Sequence, residues 1–73
     1  MTWWIFVVIW VGFVEGQLEI RGPADVHGPY ATRGSCEFVR EAIVHAEIEG
    51  LIVGPCVEKD EATIKILRER GLL

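Results

Sequence analysis

The chain opens with a long run of apolar residues, and this run limits the possible folds more than any other feature. Residues 2–10 read TWWIFVVIW, and no charged side chain occurs before Glu15. A membrane-spanning helix needs about 20 apolar residues, and the twelve from Trp3 to Val14 are too few. A signal peptide has a positive segment before its apolar core and a small-residue cleavage site after it, and the run has neither. It therefore predicts neither a membrane helix nor a secretion signal.

The residue types of the run indicate a β-strand that is apolar on both faces. Val, Ile, Trp and Phe favour a pleated surface, and successive side chains of a strand point to opposite faces. One face consists of Trp4, Phe6, Val8, Trp10 and Val14, and the other of Trp3, Ile5, Val7, Ile9, Val11 and Phe13. A strand with water on one side alternates apolar and polar residues instead. We therefore expect a strand that is covered on both faces, or one that presents an interaction surface.

The segment after this strand predicts a hairpin with an irregular second strand. Residues 15–17 read as a turn, and residues 17–21 alternate between apolar and polar side chains. Residues 22–25 predict a bulge or looped edge, after which pairing resumes at residues 26–27. Gly28-Pro29 is expected to end the strand, because proline cannot donate a hydrogen bond to the ladder.

Two helices and a third strand complete the predicted fold. Thr32 has the residue type of an N-cap for a main helix that runs to about Glu49. Residues 51–57 indicate the third strand, interrupted at Pro55, and Asp60 caps a short helix over residues 61–70. The order β-β-α-β-α predicts a single small α+β domain over residues 1–73. Its sheet is three-stranded and mainly antiparallel, with one main helix on one face.

One helix covers one face of a sheet, so the sequence predicts self-association as a homodimer or higher oligomer through the first strand. Tryptophan removes much apolar area from water and is a frequent anchor of interfaces. The predicted interface residues of the first strand are Trp3, Trp4, Phe6, Val8 and Trp10. Val44 and Ile48 fall on the polar side of the main helix and predict a second contact surface.

The charge balance argues against nucleic acid as a partner, although it does not exclude a short basic patch. The chain has 7 Lys and Arg against 11 Asp and Glu, a net charge of −4. Binding to nucleic acid requires an excess of basic side chains, so we expect no nucleic-acid partner. An anionic membrane is disfavoured for the same reason.

The two cysteines allow three interpretations. A disulfide between Cys36 and Cys56 would close a loop of about 20 residues, whereas two reduced, buried thiols are the favoured state for a chain without a signal peptide. A reactive thiol at a helix start is the third. A shared metal site with the histidines is not expected, because Cys36 and His45 would lie on opposite faces of one helix.

The start of the main helix is the best candidate for a small ligand. Free backbone N–H groups at a helix start can bind an anion, and here they would be joined by two hydroxyls and a guanidinium, from Thr32, Arg33, Gly34 and Ser35. Ordinary helix capping explains the same residues. No set of side chains resembles a catalytic group, so the sequence predicts no enzyme, no cofactor and no metal.

Several of these features together resemble a type of small protein encoded by tailed phages. The features are the apolar first strand, Gly28-Pro29-Tyr30 with Thr32, the helix that begins near Cys36, and Pro55-Cys56-Val57. Such proteins are built as ββαβ, and the resemblance covers about Trp3 to Glu58. It implies a cytoplasmic protein of an infected bacterial host that binds and inhibits a host protein, as an anti-defence or host-takeover factor. The alternatives are an oligomeric sponge for a small anion such as a nucleotide, and a structural virion or membrane-associated component.

Overall fold

A single long strand organises the sheet. The structure, a computed structural model, describes residues 1–73 and begins with β1 (Thr2–Val14). This strand pairs antiparallel with all four others, which are β2 (Gln17–Ile20), β3 (Asp25–Tyr30), β4 (Leu51–Val53) and β5 (Val57–Asp60). The helices are α1 (Arg33–His45) and α2 (Glu61–Glu69).

The four short strands lie in pairs along the two edges of β1. Val8 pairs with residues of both β3 and β4, and Trp4 pairs with residues of both β3 and β5. Therefore β3 lies on one edge, and β4 and β5 lie on the other. The Arg21 N–H donates to the Trp10 carbonyl at 2.6 Å, and the Val11 N–H donates to the Gly50 carbonyl at 2.7 Å. Neighbouring residues of a strand bond to opposite edges, so β2 shares the edge of β3.

The α+β class and the antiparallel sheet are confirmed, but the predicted count of three strands is wrong, because there are five. Each predicted partner of β1 is split in two. Gly22-Pro23 separates β2 from β3, and Gly54-Pro55 separates β4 from β5. Proline has no N–H, so the ladder stops at these sites and resumes beyond them. Gly28-Pro29 was expected to end a strand but lies inside β3, where a shift of register between Trp4 and Phe6 accommodates it.

The main core lies between β1 and α1. Phe6 and Val8 of β1 and Cys36 of α1 are buried together, and Val39 and Ile43 of α1 pack against them. The predicted N-cap is confirmed, since the Thr32 side chain accepts a hydrogen bond from the backbone N–H of the third residue after it. The helix is shorter than predicted and ends at His45. Its continuation is prevented because Glu47 has a φ of 50°, outside the helical range.

The second helix, α2, packs at one end of the sheet face opposite α1. Asp60 caps α2 by accepting a hydrogen bond from the Thr63 N–H at 2.8 Å. Ile5 and Ile64 are the two buried residues outside the α1 cluster, and Trp3 lies beside Ile64. Because Trp3 and Ile5 share the face that α1 does not cover, α2 shields that face only at its Trp3 end.

Candidate functional site: an apolar sheet face and a helix-end hollow

The rest of the face opposite α1 is apolar on four neighbouring strands, β1 to β4. Residues directly opposite each other in a ladder share a face, and four successive pairs along β1 are apolar on both sides. They are Val7 with Val26, Ile9 with Ile52, Val11 with Ile20, and Phe13 with Leu18. We call these eight residues the open face.

No helix covers the open face, and its side chains are correspondingly exposed. Phe13 is 73% exposed, Ile20 67%, Leu18 59% and Ile52 47%, while the four remaining residues are half-buried by their neighbours. Isolated apolar side chains on a surface are common, but these eight are contiguous. A contiguous apolar patch on a small protein typically marks an interaction site.

The predicted interface residues lie mostly on the other face. Phe6 is fully buried under α1 and Val8 is 3% exposed, so neither can contribute to a surface. Trp4 is half-buried against the same cluster, and Trp10 is 40% exposed. Trp3 is half-buried beside α2. The choice of Phe6 and Val8 is therefore corrected: α1 docks on the face that contains them and leaves the alternate residues open.

Val44 and Ile48, the predicted second surface, line a hollow at the end of α1. Both are exposed by just over two-fifths. The hollow has a volume of about 290 Å³, and its other lining residues are Arg40, Ile43, Glu47, Leu51 and Val53. Its apolar floor is formed by α1 and β4, and its charged residues are one Arg and one Glu. We call it the helix-end hollow.

The side chain of Arg40 gives the helix-end hollow one fixed wall. Its Nε donates a hydrogen bond of 2.7 Å to the carbonyl of Gly54, which connects β4 to β5. A hydrogen bond from a charged donor to a part-buried carbonyl is stronger than one between two neutral groups. Arg40 therefore holds α1 against the β4 side of the sheet and keeps the hollow in shape.

The start of α1 is occupied by contacts within the chain. The Thr32 Oγ1 accepts from the Ser35 N–H at 3.1 Å and donates to the Ser35 Oγ at 3.0 Å. The Arg33 Nε donates to the Glu37 carboxylate at 2.9 Å, and its guanidinium lies 5.7 Å from the centre of the Trp4 ring. Gly34 is exposed and has no neighbour where a side chain would be. A ligand anion here would compete with Glu37 for Arg33.

Cys36 and Cys56 form a disulfide. The sequence favours two reduced thiols, but docking of α1 brings the Cα atoms to 6.3 Å, within the range that a disulfide spans. Cys36 is fully buried and Cys56 is half-buried. The bond ties the first turn of α1 to the segment between β4 and β5. The two cysteines thus have a structural role, and neither sulfur is available as a nucleophile.

The two histidines lie on different elements, His27 on β3 and His45 at the end of α1. His27 stacks on the Phe6 ring at 4.9 Å between centroids, and His45 ends α1. No group of three His, Cys, Asp or Glu side chains is arranged to hold a metal ion. Neither helix has the length and apolar character needed to cross a bilayer. Comparisons of the chain with protein-family models, with curated proteins and with solved structures found no match.

Proposed function

We propose that this chain is a non-enzymatic protein-binding protein that acts as a small homo-oligomer. In the setting implied by its resemblance to small phage proteins, it would bind and inhibit a host protein. The observation that carries the proposal is the distribution of apolar side chains. Five of 73 residues are buried, whereas thirteen large hydrophobic residues are exposed. Apolar surface of this extent in a folded domain is typical of a protein that functions through contacts with other proteins.

The helix-end hollow is the surface that we assign to the target. An interface concentrates its binding energy in a few apolar side chains that fill pockets and are surrounded by polar groups. The hollow offers such a pocket, with Val44 and Ile48 on its walls and with Arg40 and Glu47 as charged groups. It lies on the α1 side of the sheet, so a target bound there would leave the open face free.

Capture from a bacterial host lysate tests this assignment. We expect the tagged chain to recover one protein in a stoichiometric amount, and we expect the double variant Val44→Ser and Ile48→Ser to lose it. The matched control is Phe38→Ser, because Phe38 is an apolar α1 residue that is 77% exposed and does not line the hollow. Equal capture by the Val44 and Ile48 double variant would contradict the assignment.

Inhibition requires a second measurement on the captured protein. Adding the purified chain at a one-to-one ratio should reduce the activity of its target, and the double variant should not. A target that is bound through the hollow but keeps its full activity would argue for a binding role without inhibition.

Binding of a small anion at residues 32–35 is an alternative with weaker support, because Glu37 already pairs with Arg33. It makes a separate prediction. A nucleotide panel should raise the melting temperature of the chain, and Arg33→Ala should abolish the increase. If no nucleotide changes the melting temperature, the sponge function is rejected.

A further inference from the structure

We propose that a second copy of this chain covers the open face and forms a two-fold symmetric, sheet-on-sheet dimer. The inference deepens the self-association in the proposed function and moves it to a defined set of residues. The first argument is the area. A folded monomer of 8.2 kDa is expected to expose about 4,500 Å², and this chain exposes 5294 Å². The surplus of about 750 Å² is close to the roughly 800 Å² that each partner buries in a standard interface.

The shape of the chain also indicates that a second copy covers the open face. The radius of gyration is 13.5 Å, whereas about 11 Å is expected for a compact domain of this length. The Cα atoms extend over 45 × 27 × 14 Å, so the chain is long and thin. Two sheets pack face to face about 10 Å apart. A second sheet on the open face would therefore add the missing layer.

The position of the open face along β1 suits a two-fold axis. The open face runs along β1 from Val7 to Phe13, so its midpoint is Trp10, three residues or about 10 Å from each end at the rise of a β-strand. A two-fold axis that runs above Trp10, parallel to the sheet and perpendicular to β1, brings the two open faces together with their β1 strands antiparallel. The β1–β2 turn of each copy then lies against α2 at the Trp3 end of its partner, and the same residues form both halves of the interface, as a closed dimer requires.

The charges at these two ends are complementary. The turn contains Glu15. At the other end, Lys59 pairs with Trp3 in the sheet, and Lys65 and Arg68 line a hollow of about 320 Å³ beside Trp3, together with Glu61 and Ile64. The antiparallel arrangement thus brings the acidic turn to these three basic side chains twice in each dimer. Opposite charges across an interface select one orientation of the partners.

The same charges disfavour a lipid surface as the occupant. The chain has a net charge of −4, and Glu15 and Glu19 lie at the exposed end of the hairpin beside Phe13 and Leu18. Anionic lipid headgroups attract basic segments, so insertion of this end into such a bilayer would be opposed.

Sedimentation equilibrium over a concentration series tests the dimer. The wild-type chain should be dimeric at micromolar concentration. The double variant Phe13→Ser and Ile20→Ser should raise the dimer Kd about 30-fold or more, the loss typical of an interface hot spot. Phe38→Ser is the matched control, since Phe38 is 77% exposed and Phe13 73%, but Phe38 lies on α1, away from the open face. A wild-type monomer at millimolar concentration, or equal weakening by Phe38→Ser, would overturn the proposal.

Charge reversal tests the orientation without removing any apolar contact. Glu15→Lys and Lys65→Glu should each raise the Kd by up to about 30-fold, because each contact occurs twice in the dimer, and the two together should restore it. Additive weakening would reject the antiparallel arrangement. If the wild-type chain is monomeric in buffer but sediments with phosphatidylcholine vesicles, a lipid surface is the occupant and the dimer is rejected.

The outcome can be separated from that of the target-binding proposal. The Phe13 and Ile20 double variant should lose dimerisation and keep capture of the target, whereas the Val44 and Ile48 double variant should do the reverse. Loss of both properties in one variant, with an unchanged circular dichroism spectrum, would show that the two surfaces are not distinct.

Discussion

At the scale of single residues, Phe6 contributes more to the core than any other side chain of β1. Its ring is fully buried, lies between α1 and the sheet, and stacks near the rings of His27 and Tyr30 at 4.9 and 6.3 Å. Aromatic contacts of this kind add to the free energy gained by burial. Since five residues in all are buried, each of them accounts for a large share of the stability.

Replacement of Phe6 should therefore unfold much of the protein. Phe6→Ala is expected to cost about 3–5 kcal/mol, which matches the entire stability that a core of this size supplies, also about 3–5 kcal/mol. The measurement is a urea or thermal unfolding curve followed by circular dichroism. Phe38→Ala is the control, because an exposed site should change the stability by less than about 0.5 kcal/mol. Native-like stability of Phe6→Ala would show that α1 does not pack on this face.

The disulfide makes a second prediction at this scale. The bond between Cys36 and Cys56 closes a loop with a sequence separation of 20, so replacing both residues by Ser should lower the free energy of unfolding by about 3 kcal/mol. Alkylation of the denatured, unreduced chain should modify neither cysteine. Because disulfides persist mainly in oxidising compartments, alkylation directly at cell lysis would also test the cytoplasmic location that the phage resemblance implies. Two modified cysteines in the purified chain would contradict the bond.

At the scale of elements, the caps and the strand type of β1 were predictable because they depend on local chemistry. Thr32 and Asp60 were identified as N-caps from their side chains, and both accept the expected backbone hydrogen bond. The alternation of residues in β1 also identified two apolar faces. It could not decide which face α1 covers, since that depends on how Val39 and Ile43 dock, which is a tertiary contact.

The splitting of the partner strands was only partly predictable. Residues 22–25 and Pro55 were identified as interruptions, and the structure places strand breaks at both. The continuation of β3 through Gly28-Pro29 was not predicted. It depends on a bulge in the ladder with β1, and the position of a bulge is determined by both paired strands. The open face was missed for a related reason: Leu18, Ile20, Val26 and Ile52 are ordinary alternating residues until the register brings them beside β1.

The N-cap of α2, Asp60, is expected to make the stability of the fold depend on pH. The Thr63 backbone N–H, and next the Thr63 hydroxyl, donate hydrogen bonds to the ionised Asp60 carboxylate, and they hold its pKa below the ordinary value of 3.8. A carboxyl whose pKa is lowered on folding binds more protons in the unfolded chain, so its stabilising effect rises with pH. The effect is complete above the ordinary pKa and is lost as the pH falls from there through the lowered folded-state pKa.

Unfolding midpoints measured across the acid range test the assignment to Asp60. Asp60→Asn keeps a side chain that can cap a helix but cannot titrate, so it should remove this part of the acid dependence. An identical pH profile for the wild-type chain and Asp60→Asn would assign the acid sensitivity to other carboxyl groups.

At the scale of the whole molecule, we propose that this thin chain is one half of a two-sheet dimer. Its sheet has α1 on one face, and α2 shields only the Trp3 end of the other. The surplus area, the elongated shape and the opposite charges at the two ends of β1 all favour the same solution, in which two copies bury their open faces against each other. The helix-end hollow remains accessible in such a dimer and would be present twice, which gives a target two equivalent sites.

The most direct measurement is an isotope-filtered NOE experiment on a mixture of ¹³C-labelled and unlabelled wild-type chain, because it records contacts between copies without any substitution. The proposed dimer predicts intermolecular NOEs among the methyl groups of Ile9, Val11 and Ile52, and between the Phe13 ring and the methyl groups of Val7. Intermolecular NOEs confined to Val44, Ile48 or Phe38, or none from the open face at millimolar concentration, would contradict it.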